Sequence, residues 1–426
     1  MDRKDTSETP LSEQEVSASQ SGSTRLFSRT FYAFRYRDFR LMWCGAFTST
    51  IGTWMQTVAQ AWLVFSLTGS PFYLGLVAFL GEAPIMLFSI LGGAAADRID
   101  RRKLILGSQY VQMSSAFILT ALVYWDLIQI WHFMVLVSLV GTAQAFGAPA
   151  YQALIPGLVK RKDMPNAIAL NSIQFNLARV LGPLLAGVVM TSLGAAACFA
   201  LNGVSFLAVI LSLLLIRSSF SPAPSDDSVW HQIKEGFGFV KGQGALWQLS
   251  ILGFASTFFG VPLLTLLPVF SREVFDLGSG GYASMMAFSG VGAVVGALLY
   301  ANLAWMKNRG RFVLRVQLLL SALLVLFASC QNFYLACVLL FFVGICMMSL
   351  FASITSLVQL AATDEMRGRV MSIFTVSFRG GIPLGNLLAG AVASRVSPSF
   401  AILVGGVLLA AVASSFLAFK GKVSRL

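Results

Sequence analysis

The residues able to do chemistry in this sequence are few, charged and set within long apolar runs. Glu82, in Gly81-Glu82-Ala83-Pro84, is the one carboxylate placed deep in such a run. An ionised carboxylate in hydrocarbon is expensive, so Glu82 should hold a proton unless a cation pairs with it, which makes it a proton-coupling candidate. A structural hydrogen bond to a neighbouring helix, or a position at a water-filled edge, explains it equally well. Arg179 and Arg379 are the only deep cations. Both are suited to an anionic substrate or to pairing with Glu82; bracing helix ends by reaching lipid headgroups is the alternative. Gln56, Gln60, Gln144 and Asn171 are further substrate-cavity candidates, scattered among aromatics such as Trp54, Phe175 and Phe258. A broad amphipathic cavity has such a lining, although most of these aromatics are expected to face lipid or helix neighbours.

Enzymatic constellations are not in view. The two histidines, His132 and His231, lie far apart, so neither a metal cluster nor a Ser/His/Asp triad is supported. Cys44, Cys198, Cys330, Cys337 and Cys346 fall within or at the ends of apolar runs without CxxC or metal spacing and read as buried free thiols. No cofactor or metal is expected, and the chain reads as a non-enzyme.

Positioning such groups requires membrane helices. The chain is 57% hydrophobic and only 11% charged, with mean hydropathy +0.77, whereas soluble domains are about a quarter charged. Dividing it by a span of about 20 residues gives about twelve spans: 40–65, 72–96, 104–124, 131–151, 167–191, 195–216, 246–270, 281–304, 312–330, 333–360, 370–394 and 399–419. The net charge of +12 sits in the short breaks between them rather than along one amphipathic face, so it indicates the positive-inside rule rather than a nucleic-acid partner. Arg98, Arg101, Arg102 and Lys103 crowd one such break, and Lys160-Arg161-Lys162, Lys307 with Arg309, Arg367 with Arg369, and Lys420 fall on the same side. That side is assigned to the cytoplasm together with both termini. The Ser- and Glu-rich segment 1–30 is expected to be a disordered cytoplasmic tail.

Segment 218–245 is the one long polar break. Its second part, with Trp230, Ile233, Phe237 and Val240 near helical spacing, is expected to form an amphipathic helix on the cytoplasmic face. It divides the chain into domains 31–217 and 246–426. These halves look related, since Arg179, Pro183 and Leu184 recur at one common offset as Arg379, Pro383 and Leu384. The expected fold is therefore an all-α membrane protein, twelve transmembrane helices in two pseudo-symmetric six-helix bundles. In span five, Ala178, Gly182 and Ala186 form a small-residue stripe with Gly187 beside it, and Pro183 removes a helix hydrogen bond. Span eleven repeats this with Gly381, Gly385 and Pro383. These residues are assigned to helix packing and bending.

The break between spans two and three, with Gly93, Asp97, Arg98, Arg101 and Arg102 in register, resembles the corresponding loop of the major facilitator superfamily. It carries Asp100 where that family most often has glycine. Arg37-Asp38-Phe39-Arg40, Leu67-Thr68-Gly69-Ser70 and Arg367-Gly368-Arg369-Val370-Met371-Ser372 are similar to the branch that contains the enterobactin exporter and macrolide efflux pumps. The resemblance implies a monomeric secondary transporter of the inner membrane, two bundles rocking about a central site, exporting a small organic molecule against protons. Asp97 would then face the start of span eleven, drawn by its positive end and by Arg367 and Arg369, and clamp the cytoplasmic side shut. A solvated Asp97 beside its arginines is the alternative. Uptake or lysolipid movement on the same scaffold stays open, and a membrane enzyme or receptor is the reading from another class.

Overall fold

Short turns with specific stereochemistry set the helix order. The computed structural model describes residues 32–216, 229–302, 308–363, 366–418 and 421–425; the tail 1–30, the first part of the linker, Lys307 and Lys420 lie outside them. Gly69, at φ +60°, ends α1 (Arg37–Thr68) in the left-handed conformation that costs glycine nothing, and its N–H reaches the Phe65 carbonyl at 2.8 Å. Pro71 then opens α2 (Pro71–Arg98), where a missing N–H is no loss. Asp100 follows at φ −52°, a conformation that needs no glycine, and its carboxylate accepts the Arg102 N–H at 2.9 Å to cap α3 (Arg101–Tyr124). The aspartate that departs from the family pattern thus builds the turn by capping.

The chain continues through α4 (Ile130–Leu154), α5 (Met164–Ser192) and α6 (Ala195–Leu215), then α7 (Val229–Gly242) in the linker. The second half comprises α8 (Gly244–Gly260), α9 (Pro262–Val269), α10 (Ser279–Asn302), α11 (Arg309–Ala328), α12 (Phe333–Ala361), α13 (Arg367–Arg395) and α14 (Pro398–Ala418). Expected span seven is broken at Val261 into α8 and α9, because Pro262 has no N–H to continue the ladder, and a π turn, Phe270–Val274, completes it. Among the described residues nine helical stretches are long and apolar enough to cross a membrane. The long helices outside that set, α1, α3 and α13, carry polar groups such as Gln56 and Gln60, Gln112 and Ser115, and Arg379 and Asn386. The chain is an all-α, multi-spanning membrane protein. Its five cysteines are free, four of them buried as expected; Cys44 is exposed.

Packing repeats between the halves. Helix α1 packs on α5 and α6, α2 on α4, and α3 on α4 and α6; in the second half α8 packs on α13 and α14, α10 on α12, and α11 on α12 and α14. Across the halves α2 packs on α13 and α5 on α10. The apolar core is continuous across both halves at one end, where Phe65, Leu74, Met190 and Phe199 join Leu263, Phe270 and Tyr282. At the end bearing the basic loops, Phe39, Met42, Ala96, Leu170 and Leu213 form a separate cluster confined to the first half. The halves are thus welded at one end and parted at the basic end.

Candidate functional site

Glu82 rides on α2 two residues before Pro84, whose ring leaves the Leu80 carbonyl without its intrahelical donor. Its Oε2 stands 4.0 Å from Nη1 of Arg379 on α13, so the contact spans the two halves. The side chains are 38% and 43% exposed, which describes a pair lining an open groove rather than one sealed in a core. Of the pairings open from the sequence, Arg379 with Glu82 is the one present.

Arg179 does something else. Its guanidinium carbon lies 5.6 Å from the Trp54 ring centroid, a cation–π contact, and Trp54 in turn meets Phe175 edge-on at 6.2 Å. Gly182 makes this possible: a methyl there would strike the Trp54 Cβ, so only a bare backbone lets α5 lie this close on α1. Gly381 and Gly385 do the same for α13 on the Phe254 and Phe258 backbone of α8, and Gly187 faces Ala283 of the opposite half. Pro183 and Pro383 lie inside α5 and α13, both buried.

The polar candidates tie helices together. Asn202 donates to Gln56 at 2.7 Å, Gln144 to Gln112 at 3.2 Å, and Tyr151 to Asn171 at 2.8 Å. Gln60 is half-buried. Gln112 and Asn202 announced themselves only as polar residues in apolar runs, and their partners needed coordinates to be seen.

At the basic end the loop arginines reach helix termini. Arg101 donates to the Ala153 carbonyl at 2.9 Å and Arg102 to the Leu214 carbonyl at 3.0 Å, cations set against the ends of α4 and α6. Arg98 is exposed, and no atom would crowd a methyl at Gly93. The expected meeting of Asp97 with Arg367 and Arg369 is not made in this conformation. Asp97 is exposed without an ion pair among the described residues. Arg369 is instead bound at 2.6 Å by Glu235 of α7, and Arg367 approaches the Gln359 carbonyl at 3.4 Å. The physical reason is the parted basic end, which carries the end of α2 away from the start of α13. Glu235, which the sequence did not flag, stands on the linker helix against Arg369, with Gly236 packed on the same backbone. Among the described residues no group of three His, Cys, Asp or Glu side chains is placed to hold a metal.

Residues 28–424 match the family model described as transmembrane secretion effector. The chain belongs to that family of the major facilitator superfamily. Its similarity to known members is spread over most of its length. It is 27% identical over 359 residues to the staphyloferrin A transporter of Staphylococcus aureus, covering 80% of this chain and 86% of that one. To macrolide efflux protein A of Streptococcus pyogenes it is 22% identical, covering 89% and 96%. To the enterobactin exporter of Escherichia coli O1:K1 it is 23% identical, covering 87% and 90%. It shares the fold of a bacterial homologue of the human lysosomal transporter Spinster in an inward-facing, occupied conformation, with a TM-score of 0.73 at 13% identity, over 92% of this chain and 98% of that one. Family membership makes this a transport protein for small molecules rather than a catalyst.

Proposed function

We propose that the chain is a monomeric secondary transporter of the inner membrane that exports a small amphipathic organic compound, drug or siderophore-like, in exchange for protons. The observation that carries this reading is the Glu82–Arg379 pair, a carboxylate and a cation drawn from opposite halves and 4.0 Å apart. Two six-helix bundles, α1 to α6 and α8 to α14 with α8 and α9 as one span, tilt against each other to expose the groove alternately. The positive-inside rule makes the basic end cytoplasmic, with both termini there. The parted basic end then corresponds to an inward-facing state, in keeping with the likeness to an inward-facing structure.

In this mechanism ionised Glu82 holds α13 through Arg379. A proton cancels that attraction and frees the two helices to separate, so protonation is linked to the tilt. As the cytoplasmic end closes, Gly93 and Asp97 meet the start of α13, and Asp97 exchanges solvent for Arg367 and Arg369. Arg98, Arg101 and Arg102 hold the loop at the membrane surface. Pro183 and Pro383 supply the bending points, and Gly182, Gly187, Gly381 and Gly385 let the moving helices stay in close contact. Arg179, Arg379, Gln56, Gln60, Gln144 and Asn171 border the substrate path. Macrolides, enterobactin and staphyloferrin A, which name the relatives' substrates, suggest the chemical range.

The test is flux in proteoliposomes under an imposed pH gradient, wild type beside Glu82→Gln. The variant should lose gradient-driven accumulation by at least tenfold while keeping passive exchange. Unchanged proton dependence would remove Glu82 from the mechanism. In cells, expression raising resistance to several unrelated toxic compounds points to drug efflux, and secretion of one metabolite points to a dedicated exporter.

A further inference from the structure

The α2–α13 and α5–α10 contacts sit in matching places, and they differ in the partner each offers its arginine. Gly141 of α4 packs on the Gly81 carbonyl of α2, and Gly344 of α12 packs on the Ser289 carbonyl of α10. At the welded end Gly75 packs against Gly390 of α13, and Ala283 against Gly187 of α5. The contacts relate Gly81 to Ser289 and Gly75 to Ala283 at one offset, 208, and carried on by one residue that offset sets Gly290 opposite Glu82. Arg379 and Arg179 are counterparts in the same way. Gly290 packs on the Arg179 backbone, since a methyl there would sit 3.0 Å from the Arg179 carbonyl oxygen.

One interface therefore holds arginine with carboxylate, the other arginine with glycine. Among the described residues Arg179 makes no ion pair and no side-chain hydrogen bond; its contact is the Trp54 face. A half-buried guanidinium without a counter-ion is costly in a membrane and calls for an anion to complete it. Phe175, half exposed beside Trp54, offers a flat apolar surface next to it.

We infer that Arg179 is the docking point for an oxyanion on an amphipathic substrate whose apolar body lies on Phe175. This rests on the transport reading and names the substrate's charge. A carboxylate of a soluble metabolite and the phosphate of a single-chain lipid share this chemistry. An inside-negative membrane potential would drive either anion outward, which suits export.

The experiment is fluorescence anisotropy on the full-length protein in lipid nanodiscs with 5-carboxyfluorescein, the cationic dye rhodamine 6G and a fluorescent lysophosphatidylglycerol. Wild type should bind at least one of the two anions tenfold or more tightly than the cation; which anion it prefers decides between metabolite and lipid. Arg179→Gln should lose that preference, and Arg179→Lys should keep part of it. Gly290→Glu, which supplies the missing counter-ion while leaving Arg179 in place, should abolish anion binding even if Arg179→Gln folds poorly. Rhodamine 6G binding as tightly as either anion, no binding of any probe, or an Arg179→Gln variant within twofold of wild type overturns the inference. Gradient-driven flux of rhodamine 6G without anion binding would leave the transporter standing and remove only the anion site. Anion binding without flux of any probe under any gradient would do the reverse.

Discussion

Glu82 and Arg379 form one unit, and at 4.0 Å with both side chains more than a third exposed their attraction is solvent-screened. Such a pair contributes about 1 kcal/mol or less to stability, so its value lies in the linkage it makes between α2 and α13. Removing either partner leaves the other charge in the groove without compensation. Glu82→Gln and Arg379→Gln should each reduce gradient-driven flux strongly, and the double variant should be no worse than the worse single one, since residues in one pair are not additive. Fully multiplicative losses in the same flux assay would show that they act separately. The loop arginines permit a sharper contrast. Arg101 bonds the Ala153 carbonyl, whereas Arg98 makes no ion pair or hydrogen bond among the described residues. Arg101→Ala should lower stability by about 1–2 kcal/mol and Arg98→Ala by about 0.5 kcal/mol at most. Thermal melting of the purified protein checks the ranking, and equal melting points would contradict it.

Among elements, α7 is the one whose role changed most between sequence and structure. Its amphipathic spacing marked a surface helix, but nothing in that spacing said which helix it touches. Glu235 holds Arg369 at 2.6 Å, and Gly236 lies against the Arg369 backbone, so α7 is docked on the start of α13. On the proposed mechanism Asp97 and Glu235 are alternative partners for one guanidinium, one for each position of α13. Glu235→Gln should bias the molecule toward the conformation with the basic end closed. The pair is 30% and 44% exposed, so the shift is at most about fivefold in the ratio of the two states, the equivalent of about 1 kcal/mol. Reaction of a cysteine placed at Gly93 with a membrane-impermeant maleimide reads this directly, and it should slow in the Glu235→Gln background. Faster reaction would mean that Glu235 favours the closed state instead. Gly93→Ala separates resting structure from motion in the same region. With nothing near enough to crowd its methyl, it should leave the melting temperature unchanged yet impair flux if α13 closes onto it.

At the scale of the molecule, the sequence carried the long apolar helices and the basic breaks between them, because burial in lipid and charge asymmetry act on composition and order alone. What it did not carry is which faces meet: that Arg379 finds Glu82 while Arg179 finds Trp54, or that Gln56 bonds Asn202. Apolar helices look alike from every side until packed, and the small residues that decide close approach, such as Gly75 and Gly292, are ordinary in composition. Which end of the molecule is parted was equally hidden, since composition and order read the same whichever end is open. The division of the core shows it, because the two halves share apolar contacts at one end while a separate cluster, confined to the first half, lies at the basic end. If the bundles rock, the welded end must open once per cycle, and a lock placed there must stop transport. Gly187 and Ala283 suit the purpose, since a Cβ on Gly187 would lie 2.9 Å from the Ala283 Cβ, and a disulfide needs only slight separation, with Cβ atoms about 3.8 Å apart. Gly187→Cys with Ala283→Cys should cross-link on mild oxidation in the resting protein, abolish flux, and recover with reductant. The opposite pair, Asp97→Cys with Arg367→Cys, should cross-link only while the protein turns over. Full cross-linking of the first pair with flux intact would mean that this end never opens, and rocking of the halves could not then be how the molecule works.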